Sequence, residues 1–505
     1  MYHCKNERIM RKIISIIAIM GLFLSACTDL DDVLYDRIPS DAYTADPVLK
    51  MSPIYEPMRE FLDNSGWWFA QELPGDAVVC PVRGMDWLDG GKWMVLHRHT
   101  WDNNTEAVNS MWSRYYRGIV EANKFIEEQE IFAGDPIVDR AIAKAKILRA
   151  YYYYLAIDNY GDVPYVVQYL DAPERPLRRK RANIWADIVA DVEAGIPYLD
   201  NSVSKTAVTK GMAFSLLAKL YLNAEVYTGT PRWDKAEAYA DSVLALGVYS
   251  LEGDPLAPFV TANQNSTENI WVIPFHEDNY QGFNLHMRTL HYNSNRTFDM
   301  AVGPWNGFAA VQDFYNTYDD NDLRKEGYFL VGPQFDYQGN KIVDQAAGGA
   351  DLVLDPFIPA LEMTPGSYSP VQIRMSGVRV QKFEIRRGAK ENLGNHFPIF
   401  RLADVMLMKA EAMVRQGKAG AAQYVNPIRE RANLAPWGDV SLQQLLAERG
   451  RELFWEAHRR QDLIRFGEFN KAWWEKPASP AERRVFPIPE WAIEANPNLS
   501  EPVVD

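Results

Sequence analysis

Glu448-Arg449-Gly450-Arg451-Glu452-Leu453-Phe454-Trp455-Glu456-Ala457-His458-Arg459-Arg460-Gln461-Asp462-Leu463-Ile464-Arg465-Phe466-Gly467 is the most informative stretch of this chain. Glu448, Arg451, Glu452 and Glu456 stand three and four residues apart, so opposite charges pair on one helix face. The pattern predicts a helix over 442–465. Arg451, Arg460, Asp462 and Arg465 are then placed to anchor neighbouring helices. The cluster reads as structural, and changing it should damage folding before it damages any binding.

Working back along the chain, a helical pattern covers 401–415. The region 263–397 differs. It is rich in Gly, Pro, Asn and aromatics, and Gly332-Pro333 and Gly348-Gly349 mark turns. Long irregular segments inside compact proteins tend to be functional loops. Within it, 378–385 alternates enough for a short strand. Asp319-Asp320-Asn321-Asp322 lacks the glycine and the distant glutamate of a calcium loop, so it predicts a turn before Leu323.

The first half is helical. Trp112, Tyr115, Tyr116, Ile119, Asn123 and Ile126 share one helix face. The next helix, over 141–158, holds the run Tyr151-Tyr152-Tyr153-Tyr154, and Gly161 and Pro164 close it. Further helices are predicted over 184–199, 211–227 and 233–246. Helix pairs of this length, with small and aromatic contact residues, resemble tetratricopeptide repeats, which bury one face against a neighbour and commonly dock other proteins.

At the N-terminus, Lys5, Arg8, Arg11 and Lys12 precede an apolar run over 13–26. That run is shorter than the ~20 residues of a membrane span. It reads as a targeting signal. Leu24-Ser25-Ala26-Cys27 matches a lipoprotein signal box, in which the Cys27 thiol takes a diacylglycerol. Acyl chains add roughly 0.8 kcal/mol of membrane attachment per buried CH₂, so lipidation anchors a chain without a transmembrane helix. The acidic stretch Thr28-Asp29-Leu30-Asp31-Asp32 reads as a solvated tether and resembles a signal for export to the outer face of the outer membrane. Cys4 leaves with the signal, so Cys80 alone remains as a thiol, read as a small buried hydrophobe.

The 505 residues are 47% apolar, which suits a large core. The net charge of −14 makes nucleic acid an unsuitable partner. The chain divides as 1–26 signal, 27–50 lipidated tether and N-terminal segment, 51–262 helical repeats, 263–397 irregular ligand-binding subdomain, and 398–505 C-terminal helical region.

Several of these stretches resemble the SusD/RagB family. The quoted C-terminal run resembles its E-R-x-R-E-L-x-x-E-x-x-R-x-x-D-L-x-R-x-G helix. Phe486-Pro487-Ile488-Pro489 and Asn496-Pro497-Asn498-Leu499 resemble its closing motifs. Arg401-Leu402-Ala403-Asp404, running on to Ala410-Glu411-Ala412, and the segment 149–164 resemble two more of its helices. The resemblance implies a mainly α fold: a tetratricopeptide-like helical scaffold with a large irregular, loop-rich subdomain. It also implies a glycan ligand, a SusC-like TonB-dependent transporter as partner, an outer-membrane location through the lipid anchor, and no catalysis or cofactor.

Sugar binding needs aromatic faces for the CH patches of a ring and polar groups for its hydroxyls, set in a concave site. Two loops have that chemistry. The first, over 81–93, offers Arg83, Asp86, Trp87 and Trp93 among flexible glycines. The second offers His286, Arg288, His291, Tyr292, Trp305 and Asn306, with Arg374 and Arg379 farther along. The bland reading is that these tryptophans and histidines simply pack the loops. His276, His286 and His291 are spaced ten and five apart, which fits no zinc motif. Three readings stay open: a glycan-capture protein, a transporter lid for peptide or another non-glycan ligand, and a glycosidase, which would need two carboxylates at fixed separation.

Overall fold

The fold is built outward from one helix whose second half is buried on every side. In this computed structural model, which describes residues 47 and 49–504, that helix is Pro136–Tyr160. Asp135 caps its start, accepting from the Ile137 N–H at 2.8 Å, and Gly161 ends it at φ 76°. From Leu148 to Tyr160 every residue is buried, so this half of the helix sits inside the molecule, while its first turn meets solvent. The signal, the Cys27 lipidation site and the tether up to residue 46 lie outside the described residues.

The tyrosine run on this helix is core. Tyr152 donates to the Ile54 carbonyl at 2.6 Å, Tyr153 donates to the Val166 carbonyl at 2.8 Å, and Tyr154 accepts from Gln461 at 2.7 Å. Tyr151 meets Trp271 edge-on at 4.8 Å. Each ring is buried and each of those hydroxyls has a partner, which removes the cost of drying a phenol. Gly118 on the preceding helix makes this approach possible, because a Cβ there would lie 2.2 Å from the Tyr152 ring.

Among the helices of the first half are α1 (Ser52–Arg59), α2 (Trp67–Glu72), α3 (Glu106–Glu130), α4 (Pro136–Tyr160), α5 (Arg181–Gly195), α6 (Lys210–Leu222) and α7 (Trp233–Ala245). From α3 to α7, neighbours in sequence pack pairwise, as the repeat reading expected. The array continues past the loop-rich middle, because α7 also packs on α8 (Leu402–Arg415), which packs on α9 (Ala422–Arg431) and α10 (Leu442–Glu452). The two halves are stitched by strands β1 (Asn269–Ile273) and β2 (Phe397–Arg401), which pair antiparallel. The fold is therefore mainly α, with a region of short strands and turns between β1 and β2. Asp322 caps Leu323–Tyr328, so the acidic stretch before it is a turn. The strand expected over 378–385 is reduced to Arg379–Val380.

One expectation needs correction. The helix predicted over 442–465 is two helices, α10 and α11 (Arg459–Arg465). Between them Trp455 and Ala457 take left-handed backbone, φ 68° and 65°. Helix α2 holds this break. Trp68 donates to the Trp455 carbonyl at 3.2 Å, and the Ala457 N–H donates to the buried Glu72 carboxyl at 2.6 Å.

The charges that suggested one helix face instead knit several elements together. Glu452 accepts from Arg324, Arg401 and Arg431, at 2.8, 2.7 and 2.5 Å. Arg401 also reaches Glu456 at 2.6 Å and Glu268 at 2.7 Å. In a second cluster Arg465 makes paired 2.7 Å bonds to both oxygens of Glu411, and Arg449 binds Asp462 at 2.9 Å and Asp404 at 2.9 Å. Burial raises a carboxylate pKa, but these guanidinium groups overturn that effect and hold Glu452 well below its ordinary range. Of Glu448, Arg451, Glu452 and Glu456, only Glu448 and Arg451 pair with each other, at 2.6 Å, and Asp462–Arg465 forms a second pair within α11 at 2.7 Å. Each of these buried ions faces an opposite charge on another element, and removing one partner is costly.

Candidate functional site

Both sequence-marked loops converge on one patch. Trp87 turns its indole N–H to the Trp305 carbonyl at 2.8 Å, across 218 residues of sequence. Asp86 accepts from the Tyr292 hydroxyl. Arg374 lies over the Tyr292 ring, 4.5 Å from its centroid. Asp86 is exposed, while Trp87, Tyr292, Trp305 and Arg374 are partly exposed, so aromatic rings, a carboxylate and a guanidinium share one solvent-facing surface. Exposed Met85 and Leu88 flank them.

The patch is positioned by close backbone packing. Gly307 lies against Trp87, where a Cβ would come within 2.4 Å of the indole. Trp87, Asp89 and Asn306 all adopt positive φ, at 63°, 38° and 55°. Such backbone costs of order 1–3 kcal/mol per residue and clusters at ligand clamps and other functional sites. Phe308 meets Trp87 edge-on at 5.3 Å from below.

Tyr292 and Arg374 stand on a buried acid. Arg374 makes a forked pair with Asp344, at 2.6 and 3.0 Å. His291 Nδ1 accepts from the Asn293 N–H at 3.1 Å, which leaves its Nε2 to face Asp344 Oδ2 at 3.3 Å. Burial pushes His291 down to about 4, so the imidazole is neutral at pH 7. Burial alone would raise Asp344, but the bonds from His291 and Arg374 hold its carboxyl well below the usual range. Burial, followed by the bond to Asp86, pushes the Tyr292 phenol up to about 12, so it remains a donor at neutral pH.

Six of the sequence candidates are buried, and direct sugar contact is not what this structure offers them. Trp93 is 1% exposed; its ring is enclosed by Phe69 and Phe308, each at 5.2 Å, and its N–H binds Asp89 at 2.8 Å. A ring so covered has no free face to stack. Arg83 is spent on the carbonyls of Gly307, Ile373 and Ser376, at 3.3, 3.0 and 2.9 Å. Asn306 accepts from Arg379 at 2.7 Å and donates to the Arg374 carbonyl at 2.9 Å. His291 lies beneath Tyr292 as described. Arg288 is sandwiched by Phe69 and Trp305, 4.9 and 5.2 Å from their centroids. His286 meets the Lys390 carbonyl at 2.9 Å, away from the patch residues. The first five brace the exposed members. Asp344 and Gly307 are the residues sequence reasoning missed. Gly307 follows a marked Asn and was within reach; Asp344 reads locally only as the cap it makes to the Ala346 N–H, and its charged partners are 30 or more residues away.

Cys80 is buried, and burial pushes its thiol up, which leaves it inert. Among the described residues no helix is long and apolar enough to cross a membrane.

Comparison with known proteins places this patch in context. The SusD family model matches residues 364–482, and a second, described as starch-binding and associating with the outer membrane, matches 78–222. The starch-binding protein SusD of Bacteroides thetaiotaomicron is 25% identical over 473 residues, covering 85% of this chain and 83% of its own length. A SusD-like protein of Bacteroides ovatus is 23% identical over 479 residues, 90% of this chain and 82% of its own length. Among solved structures, a laminarin-binding SusD-like protein superposes with TM-score 0.71 at 22% identity, covering 89% of this chain and 97% of that one. Surface glycan-binding protein A from Bacteroides thetaiotaomicron, in complex with laminarihexaose, gives TM-score 0.72 at 18% identity, with 89% and 97% covered. At these identities the superpositions establish the fold.

Proposed function

Because the chain belongs to the SusD/RagB family, we propose that it is a surface glycan-binding lipoprotein. It captures an oligo- or polysaccharide on the Asp86–Trp87–Tyr292–Trp305–Arg374 patch and delivers it to a SusC-like TonB-dependent transporter. Cys27 carries the lipid that holds it to the outer membrane, facing the exterior. Its work is binding rather than cleavage.

The observation that carries this reading is the convergence itself. Two loops that meet across 218 residues supply aromatic faces and a carboxylate, the helix Pro370–Met375 adds the Arg374 guanidinium, and partly buried bonds at Trp87 and Arg374 with an exposed one between Tyr292 and Asp86 hold them on one surface. Sugar rings stack their CH faces on such aromatics, and preorganised polar groups orient the hydroxyls without further ordering cost. Starch, laminarin and laminarihexaose are the ligands named for its relatives, which supports a glucan-like class.

Isothermal titration of the mature protein against plant, host and microbial glycans tests the proposal, with the cell contents checked afterwards for cleavage. Binding without products, abolished by Trp87→Ala, is the expected result. Released products would make it an enzyme. Unaltered binding by Trp87→Ala would remove the patch as the site. If no glycan binds, the lid for a peptide or other non-glycan ligand becomes the better reading.

A further inference from the structure

A cavity of about 180 Å³ lies between α1, the end of β1 and the turn at 276–280, and shares no lining residue with the patch. Its floor is apolar, made by Met58, Ile273 and Pro274. Its rim carries Glu56, Arg59 and Thr206, and Tyr280 stands at its edge, 54% exposed.

The edge is rigidly built. The His276 N–H donates to the Tyr280 carbonyl at 2.9 Å, and His276 Nδ1 accepts from the Asp278 and Asn279 N–H groups at 3.2 and 3.3 Å. Arg59 lies 5.4 Å from the Tyr280 ring centroid and pairs with Glu56 at 3.2 Å. The turn thus fixes the backbone that carries the exposed Tyr280 ring, and Arg59 lies beside that ring.

Size and charge narrow the occupant. Ordinary small-molecule sites run to ~300–1,000 Å³, so this one admits a single ring and not an oligosaccharide. The rim pairs a guanidinium with a carboxylate, so it supplies a donor and an acceptor with no net charge. Because Arg59 and Glu56 already pair with each other, a charged sugar gains no net attraction from the rim. An apolar floor beneath a neutral rim of donors and acceptors is complementary to an uncharged polyhydroxylated ring.

We infer that this cavity is a second carbohydrate subsite, taking one neutral sugar ring, a chain end or a branch. The inference rests on the reading of the protein as a glycan binder, but not on the location of the main site.

Saturation-transfer NMR on the mature protein, with methyl α-glucoside, methyl β-glucoside and methyl β-galactoside as probes, tests it. Transfer to at least one probe is expected to survive Trp87→Ala. It is expected to fall about fivefold or more, the equivalent of ~1 kcal/mol, in Tyr280→Ala and in the cavity-filling Thr206→Phe. Both changed side chains are exposed, so the fold tolerates them, and wild-type titration with laminarihexaose in these two variants checks this independently. No transfer to any probe in the wild type overturns the inference. So does transfer that disappears in Trp87→Ala and persists in Tyr280→Ala. Oligosaccharide binding that survives Trp87→Ala would instead sink the main-site assignment and leave this one standing.

Discussion

Gly307→Ala is the most economical perturbation of the patch. The added methyl would sit 2.4, 2.6 and 2.7 Å from three Trp87 ring carbons. Carbon atoms pack at about 3.5–4.0 Å, so the indole must retreat by roughly 1 Å. Overpacking of this kind costs about 1–3 kcal/mol. The retreat stretches the 2.8 Å bond to the Trp305 carbonyl, itself worth about 0.5–1.5 kcal/mol and part of the same cost. Unfolding entropy of ~2.1 cal/mol/K per residue gives ~1 kcal/mol/K for a chain of this size, so Tm should fall by only about 1–3 °C. Ligand affinity should fall much further. If Trp87 is an anchor worth about 2 kcal/mol, its displacement weakens binding about 30-fold. Near-UV circular dichroism reports the displaced indole, scanning calorimetry the small Tm change, and titration with the best glycan the affinity. A displaced Trp87 with wild-type affinity would refute the argument that this ring, in this place, is the platform.

Arg374→Ala removes both the fork on Asp344 and the cation over Tyr292, a contact worth about 0.5–1 kcal/mol at an exposed site, so glycan affinity should drop by ~5-fold. Arg374→Lys should recover only part of it, since an ammonium lacks the planar fork; full recovery would show that charge alone suffices. Glu452→Ala takes one shared carboxylate from three buried guanidinium groups, which keep Asp322, Glu268 and Glu456 but are left with excess positive charge, and should destabilise the protein by about 3–5 kcal/mol, visible as a lower Tm or loss of soluble protein, with unchanged glycan affinity in whatever remains folded. Glu72 is pushed up to about 8 by burial, so its folded pKa exceeds its unfolded one. The stability it contributes is complete below about 4.5 and is lost progressively as pH rises towards 8. Glu72→Gln keeps an acceptor for the Ala457 N–H and should flatten that decline; parallel Tm-against-pH curves for the two proteins would count against it.

The amino-acid sequence by itself determined the helices and the chemistry of the loops. Helix signals are local. The stop at Gly161 and the three-and-four spacing from Trp112 to Ile126 each act within a turn or two, so they are legible without the fold, although the pattern alone began the central helix at 141 and overlooked the Asp135 cap. Aromatic and polar composition marked the 81–93 and 286–306 loops for the same reason. Tertiary structure decided which of those residues meet solvent. Trp87 and Trp93 sit six apart in one glycine-rich stretch and Phe308 packs on both, yet Phe69 closes over Trp93 on the other side, while Gly307 and the Trp305 carbonyl hold Trp87 at the surface. The helix break at 453–458 was equally illegible, because its partners Trp68 and Glu72 lie more than 380 residues away. Burial and pairing are set by residues remote in sequence, and a pattern with a period of a few residues carries no record of them.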